Sequence, residues 1–251
     1  LFRIASIFNR KIARGIKDRK KLFENLIISL TGIDRSKKMV WFHSASMGEF
    51  EQAKPIIKKL KTEKDVNIIV TFFSPSGYRN SLNYPNADVI SYLPLDSPEL
   101  TKRFIKYVRP NLVVFMRYDI WPNLVWALNN KSVPIMIVDA TMRSNSGRKL
   151  PGIKSFHKIL YKNFTKILTV SELNTENFRE FDLPESKLVT VGDTRFDRVY
   201  EKSIQAKNRK LFDENLLAGK KVFVFGSSWE SDEAVILPAI ITVMKYAANV
   251  V

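Results

Sequence analysis

Four short turns in this sequence combine side chains that could bind or activate a substrate. Each turn follows an apolar run that predicts a strand, and the sequence after it is typical of a helix. Helix N-termini at such positions can hold anionic groups, because free backbone N–H groups point outward there. The turns are His43–Glu49, Thr71–Gly77, Asp119–Asn123 and Val191–Asp197.

The first turn ends in Glu49, a carboxylate that could act as a general base on a bound hydroxyl. The spacing Ser46-x-x-Glu49 is also that of a capping box, in which both side chains only close the helix end. Gly48 would allow a ligand to approach the backbone closely. The helix dipole should lower the pKa of Glu49, so a base would need burial or a nearby anion to offset it. Both interpretations stay open from these residues alone.

The second and third turns offer groups suited to a sugar or a phosphate. Ser74 is a predicted N-cap, and Ser76 adds a second hydroxyl before Gly77. Either residue could cradle a phosphate, or the turn could be purely structural. Trp121 provides a flat surface for stacking on a sugar or an acyl chain, although tryptophan is also a common core residue.

The fourth turn contains Arg195, which could bind a carboxylate or phosphate with two hydrogen bonds or pair with Asp197 in an ordinary salt bridge. A fifth turn, 226–233, repeats the pattern with Ser227, Ser228 and Glu233 before another predicted helix. No dinucleotide-binding glycine fingerprint, Walker loop or metal-ligand cluster is present in the sequence.

The composition favours an anionic partner. The 251 residues include 41 Lys and Arg against 25 Asp and Glu, a formal net charge of +16. Eight of these basic residues, with a single Asp, lie in residues 1–22. Nucleic acid, an anionic membrane and a phosphorylated substrate all fit such a charge. The absence of cysteine excludes disulfides and thiolate metal sites, and two histidines argue against a histidine-rich one.

Strand-like and helix-like segments alternate along the chain, which predicts an α/β fold with a doubly wound parallel sheet. The predicted strands are Met39–His43, Asn67–Phe73, Asp88–Ser91, Leu112–Met116, Ile135–Asp139, Lys166–Val170, Leu188–Val191 and Lys221–Phe225. The predicted helices are an amphipathic one near Lys11–Leu30, then Glu49–Thr62, Pro98–Val108, Pro122–Asn129, Gly152–Asn163, Glu172–Glu180, Lys202–Leu217 and Trp229–Tyr246.

The pattern also predicts a division of the chain. Residues 1–30 form a basic, amphipathic, membrane-proximal segment, and residues 31–205 form an N-terminal Rossmann-like domain. Residues 206–251 read as a linker and the first β-α unit of a second Rossmann-like domain, which stops almost at once. The sequence begins with Leu1 and ends within a helical pattern, so we expect that it is truncated at both ends, with a hydrophobic anchor missing before Leu1.

Taken in order, the turns resemble the 3-deoxy-D-manno-octulosonic acid (Kdo) transferase family. Matching segments extend from about residue 40 to 235, and their joint order and spacing are more specific than any one of them. The segments are Trp41–Glu49, Thr71–Tyr78, Tyr92–Asp96, Asp119–Asn123, Gly192–Asp197 and Gly226–Trp229.

The resemblance implies an inverting glycosyltransferase of the GT-B type, with two Rossmann-like domains facing a cleft. It implies transfer of Kdo from CMP-Kdo to lipid A precursor at the cytoplasmic face of the bacterial inner membrane. No cofactor and no catalytic metal are implied. Glu49 matches the family's proposed general base. On this basis we assign acceptor binding to Ser46, Gly48, Ser74, Ser76, Trp121 and Arg143, and donor binding to Arg195, Asp197, Ser227, Ser228 and Glu233.

The sequence departs from the family pattern at two of these turns. Arg195 stands where the family often has lysine, which retains the charge with a different geometry. Arg117 stands where an acidic residue often precedes the Trp-Pro turn, so that only Asp119 could replace it.

Two other classes compete with the transferase. A GT-B-like sugar-nucleotide epimerase would share the fold and a cleft carboxylate, but it has no use for the basic N-terminus. A nucleic-acid-binding protein would explain the charge, yet the basic residues are not interleaved with an aromatic stacking platform, and we expect no nucleic acid partner.

Overall fold

A computed structural model describes residues 10–207, 217–247 and 249–250. Within it, seven parallel strands form one sheet in the order β3-β2-β1-β4-β5-β6-β7. The strands are β1 (Lys38–Ser44), β2 (Val66–Phe72), β3 (Val89–Tyr92), β4 (Leu112–Met116), β5 (Ile135–Ala140), β6 (Lys166–Thr169) and β7 (Leu188–Thr190).

Described α-helices pack on both faces of this sheet. The described helices are α1 (Arg10–Asp18), α2 (Leu22–Thr31), α3 (Met47–Glu63), α4 (Pro75–Ser81), α5 (Pro98–Val108), α6 (Pro122–Asn129), α7 (Ile153–Tyr161), α8 (Glu172–Arg179), α9 (Thr194–Lys207) and α10 (Glu230–Tyr246). The contacts divide the chain into two units, Leu1–Val199 and Tyr200–Val251.

The strands are apolar along almost their whole length because each face of the sheet packs against its own helices. In β4, Val113 and Phe115 belong to one buried cluster, while Val114 and Met116 belong to the other. Helices α2, α5, α6 and α7 contribute to the first cluster. Helix α3 closes the second cluster, with Phe50, Ala53 and Ile57 fully buried.

The predicted strands of the first unit are confirmed with small shifts at their ends. The eighth predicted strand, over residues 221–225, is wrong: the described residues there form only an isolated bridge between Lys221 and Val250. The helix predicted from Lys202 is the end of α9, which already begins at Thr194. The rest of that predicted helix to residue 216 lies outside the described residues, as do residues 1–9.

The single helix predicted near residues 11–30 is instead two helices, because a 3-10 turn over Arg19–Lys21 separates α1 from α2. Arg19 turns inward at this break and bonds the carbonyl oxygens of Gly15, Phe73 and Leu93. Its guanidinium also lies 4.7 Å from the ring centroids of Phe73 and Tyr92. Arg19 therefore fixes α1 against the loops that follow β2 and β3. No described helix is both long and apolar enough to cross a membrane.

Candidate active site

Glu49 and Asp119 lie where the strand order of the sheet reverses. Strands β1 and β4 are neighbours, although β2 and β3 separate them in the chain. Helix α3 after β1 and helix α6 after β4 pack on opposite faces of the sheet. A crevice at the carboxyl ends of the strands is expected at such a point, and it is the usual ligand site of open α/β sheets.

The carboxylate of Glu49 is buried, with 7% of the residue exposed. Its Oε2 accepts a hydrogen bond of 2.5 Å from the backbone N–H of Ala45. Ser46 is the N-cap of α3, but its side chain makes no capping hydrogen bond. The capping bond predicted for the Ser46 side chain is therefore wrong. The Glu49 side chain does bond a backbone N–H at the start of the helix, that of Ala45. Gly48 is exposed and has an ordinary backbone conformation.

The pKa of Glu49 is raised, which suits a general base. Burial is the largest cause, and the nearby charge of Asp119 acts in the same direction. The backbone N–H groups of Ala45 and Ser46 and the charge of His43 oppose the rise without cancelling it. Burial and a neighbouring anion are the two influences that a base at a helix N-terminus requires.

A buried chain of hydrogen bonds holds Asp119 near Glu49. The Nε1–H of Trp41 donates to Thr71 Oγ1 at 2.7 Å, and that hydroxyl lies 3.0 Å from His43 Nδ1. His43 Nε2 is 3.1 Å from Asp119 Oδ2, which also accepts from Trp121 Nε1–H at 3.0 Å. The two ring nitrogens of His43 thus connect Thr71 to Asp119.

These contacts keep Asp119 ionised. Burial acts to raise the pKa of Asp119, but the hydrogen bond and charge of His43, the Trp121 hydrogen bond and the charge of Arg148 together lower it. His43 and Thr71 are fully buried, so they act on the site through Asp119. No role is assigned to His43 from the sequence alone. The sequence feature that could have indicated one is its position near the end of β1, just before the turn that contains Glu49.

The predicted acceptor-binding serines lie together. Ser46, Ser74 and Ser76 line a cavity of about 560 Å³ with the basic residues Arg14, Arg19 and Arg79. Ser74 caps α4 by accepting from the Gly77 N–H at 3.1 Å, as predicted, and Ser76 Oγ lies 3.5 Å from Ser74 Oγ.

The other three predicted acceptor residues, Gly48, Trp121 and Arg143, lie outside the lining of this cavity. Trp121 stacks on Phe73, with ring centroids 4.9 Å apart, and its Nε1–H is used by Asp119. Arg143 is exposed in the loop after β5. Arg117, which stands where the family often has an acidic residue, has a φ of 65°. Its buried Nε has no hydrogen-bond partner among the described residues.

Arg195 pairs with Asp193, not with Asp197. Its Nε lies 2.8 Å and its Nη2 2.5 Å from Asp193 Oδ2. Asp193 comes just before α9, whereas Asp197 lies in the first turn of this helix. The described hydrogen bonds of the Arg195 guanidinium go to the Asp193 carboxylate. The start of α9 is tied to β5, since Asp139 accepts hydrogen bonds from the backbone N–H and the hydroxyl of Thr194.

The remaining predicted donor residues belong to the second unit. Ser228 Oγ donates to Glu233 Oε1 at 2.6 Å, and Ser227 has φ of 59°. Trp229 is the N-cap residue of α10, and its backbone N–H donates to Asp232 Oδ2 at 3.0 Å. The two hydroxyls thus precede a helix N-terminus, as predicted, although the strand expected before them is not formed over residues 222–225.

The first unit is an α/β domain built on a doubly wound parallel sheet. It is similar in fold to the crystal structure of UDP-GlcNAc 2-epimerase from Neisseria meningitidis bound to UDP-GlcNAc, with a TM-score of 0.60 and 13% identity. That match covers 84% of this chain and 63% of the epimerase chain. The predicted fold class is confirmed, and at this identity the likeness concerns the fold alone.

The sequence matches the model of the 3-deoxy-D-manno-octulosonic-acid transferase (kdotransferase) family over residues 15–198. The chain therefore belongs to this family of glycosyltransferases. It is 28% identical over 207 residues to the 3-deoxy-D-manno-octulosonic acid transferase of Rickettsia felis, covering 82% of this chain and 44% of that protein. The transferase of Haemophilus influenzae is 28% identical over 160 residues, covering 63% of this chain and 38% of that protein. The chain spans less than half the length of these curated relatives.

Proposed function

We propose that this chain is the acceptor-binding part of an inverting transferase that moves Kdo from CMP-Kdo to lipid A precursor (lipid IVA) in lipopolysaccharide core biosynthesis. Family membership supports Kdo transfer. The observation that carries the proposal is the buried Glu49 with a raised pKa, beside Asp119 at the switch point of the sheet. A base in this position can take a proton from a hydroxyl bound in the crevice.

In the proposed reaction, Glu49 accepts the proton of a glucosamine hydroxyl on the acceptor. The hydroxyl oxygen forms a bond to the anomeric carbon of Kdo, and the bond from that carbon to the phosphate oxygen of CMP breaks. The electron pair leaves with CMP, so negative charge develops on the phosphate. Burial, and to a smaller extent the charge of Asp119, keep the pKa of Glu49 high enough for the first step.

The acceptor enters through the cavity that Ser46, Ser74 and Ser76 line. The hydroxyls offer hydrogen bonds to sugar or phosphate oxygens, while Arg14 and Arg79 offer positive charge for acceptor phosphates. Phe73 and Leu95 provide apolar surface in the same wall. We also assign Gly48 and Trp121 to the acceptor site, and Arg143, exposed in the loop after β5, as a further positive charge for the acceptor.

CMP-Kdo binds through residues of the fourth and fifth turns. The Arg195 side chain is 55% exposed while its Nε and Nη2 hold Asp193, so the guanidinium is both oriented and open to a ligand. Asp197, Ser227, Ser228 and Glu233 complete the proposed donor set. Residues 206–251 then form a linker and the start of the CMP-Kdo-binding domain, after an acceptor domain over residues 31–205.

The proposed location is the cytoplasmic face of the bacterial inner membrane. Both the acceptor lipid and the basic segment 1–30 fit an anionic membrane surface.

The direct test is transfer of radiolabelled Kdo to lipid A precursor by the full-length gene product, with the sugars counted per acceptor. The proposal predicts labelled lipid only when both CMP-Kdo and acceptor are present. A change in the nucleotide sugar without acceptor would instead indicate an epimerase. Failure of labelled Kdo to reach the lipid under conditions where a known Kdo transferase succeeds would contradict the proposal.

A further inference from the structure

Helix α7 carries both buried and exposed apolar side chains. Leu160 and Tyr161, at its C-terminal end, are buried against the sheet, as expected for a helix that covers it. Ile153, Phe156 and Ile159 are 45%, 42% and 59% exposed. Residues spaced three apart lie along one side of a helix, so these three form a continuous apolar stripe.

Two neighbouring residues widen this stripe into a surface. Leu150, just before the helix, is 55% exposed. Trp126 of α6 is 37% exposed, and its ring lies 6.4 Å from that of Phe156. We call the five residues Trp126, Leu150, Ile153, Phe156 and Ile159 the α7 surface. Contiguous apolar patches of this kind mark interaction sites, whereas single exposed apolar residues need no explanation.

The segment of the chain that carries most of the α7 surface is basic. Residues 143–162 contain six Lys and Arg and no Asp or Glu. Those six are Arg143, Arg148, Lys149, Lys154, Lys158 and Lys162. Two of them meet carboxylates from elsewhere, Lys149 with Glu180 and Lys158 with Asp182, each at 2.8 Å. The segment stays strongly basic after these pairs are counted.

We propose that the α7 surface docks on an anionic lipid bilayer, with its apolar side chains entering the interface and its basic residues meeting the headgroups. Apolar side chains rimmed by lysine and arginine are the pattern of interfacial membrane-binding helices. A second copy of the chain fits this surface poorly, because two such basic segments, each on a chain of net charge +16, would repel one another.

This inference goes beyond the proposed reaction and does not depend on it. It concerns residues far along the chain from the basic segment 1–30, and vesicle binding can be measured without turnover. If the chain also transfers Kdo, the α7 surface would be a second contact that brings the carboxyl edge of the sheet to the lipid.

The test is sedimentation of the 251-residue chain with vesicles of phosphatidylcholine alone and of equimolar phosphatidylcholine and phosphatidylglycerol. We expect binding to the anionic vesicles only. Phe156→Ser with Ile159→Ser should weaken it at least about ten-fold. Lys154→Glu with Lys162→Glu should weaken it by at least about 30-fold, since each lysine near an anionic surface contributes about five-fold and each new carboxylate adds repulsion.

Matched controls lie elsewhere on the same unit. Leu173→Ser removes an apolar side chain that is 61% exposed on α8. Lys59→Glu reverses a charge on α3, at the opposite face of the sheet from α7, where the lysine side chain is 78% exposed. Both should leave vesicle binding close to that of the native chain. Circular dichroism shows whether each variant is folded.

Trp126 provides a direct report of insertion. Brominated acyl chains in the anionic vesicles should quench its fluorescence, and Trp126→Phe should remove most of the quenched signal. Quenching that survives Trp126→Phe, or binding that the α7 variants leave unchanged, would overturn the proposal. So would self-association in solution that Phe156→Ser abolishes, because the surface would then be an interface between copies.

Discussion

Glu49 is held between influences of opposite sign. Its carboxylate closes the turn before α3 by accepting the Ala45 N–H, a contact that favours the charged form. Burial and the charge of Asp119 favour the protonated form and win, so the pKa of Glu49 is raised. A single side chain thus serves the helix end and is still suited to proton transfer.

The charge of Asp119 should be visible in the pH dependence of activity. In the full-length protein, Asp119→Asn removes a negative charge near Glu49, so the pKa of Glu49 should fall. Because the base must be deprotonated, the acid limb of the kcat/KM profile should move to lower pH. The control Asp65→Asn changes an exposed carboxylate paired with Lys37 and should leave the limb in place. An unmoved or oppositely moved limb in Asp119→Asn would argue against the coupling.

The ionised side chain of Glu49 should also lower the free energy of unfolding at neutral pH. A raised folded-state pKa means that the protonated form is favoured in the fold, so this contribution is full below the ordinary pKa near 4.5 and is lost as the pH rises through the folded value. Glu49→Gln keeps an oxygen for the Ala45 N–H and never ionises. Its Tm should therefore exceed that of the native chain at pH 7, with the difference shrinking toward pH 4. A constant difference across that range would contradict the raised pKa.

The local spacing at Ser46 and Glu49 predicted a cap or a base: Glu49 bonds a backbone N–H at the helix start, Ser46 makes no cap bond, and the role of Glu49 as a base stays a prediction. What could not be predicted is the group that tunes the base. His43 and Asp119 are 76 residues apart in the chain and meet only because β1 and β4 are adjacent. Long-range pairing of this kind is a property of the sheet order, which one sequence does not display.

At the scale of elements, the two glycines of the predicted turns have different roles. A Cβ on Gly77 would lie 2.5 Å from Phe72 Cδ1, whereas a Cβ on Gly48 would find nothing nearer than Ser46 Oγ at 3.9 Å. Gly77→Ala should cost about 1–3 kcal/mol of unfolding free energy through overpacking. Gly48→Ala should be neutral or slightly stabilising, since alanine is the better helix former. Urea denaturation of both variants distinguishes them, and equal losses would contradict the packing.

If Gly48 also provides close approach for the acceptor, Gly48→Ala in the full-length protein should raise the KM for lipid acceptor while its stability is unaffected. An unchanged KM would remove Gly48 from the acceptor site.

The strands β1, β2 and β4 could be predicted because burial on both faces of the sheet requires an apolar run. Prediction failed where an apolar run had no neighbouring strand to pair with. Val222–Phe225 is apolar, yet these residues are exposed and form no strand among the described residues. A strand needs a paired neighbour, and Lys221 finds only the bridge to Val250. Similarly, helical spacing near residues 11–30 could not reveal that Arg19 would bond the distant carbonyl groups of Phe73 and Leu93.

For the whole molecule, the net charge of +16 leaves a choice between lipid and nucleic acid. The apolar α7 surface lies within a basic segment of the chain, which favours lipid. We expect anionic vesicles to compete with single-stranded DNA for the chain and to win, and binding to weaken as added salt screens the charges over about 10 Å or less. Fluorescence anisotropy of labelled DNA, with vesicles as competitor, measures this. DNA binding that vesicles cannot displace would revive the nucleic-acid interpretation.

In the proposed reaction, Glu49 removes a proton from the acceptor during Kdo transfer. The measurement is the initial rate of labelled Kdo transfer to lipid A precursor by the full-length protein carrying Glu49→Gln. The control is Glu63→Gln, the same change on the same helix at a side chain that is 55% exposed. We predict that Glu49→Gln lowers kcat by at least about 100-fold with the fold intact, while Glu63→Gln retains native activity. Native turnover by a folded Glu49→Gln protein would contradict the account.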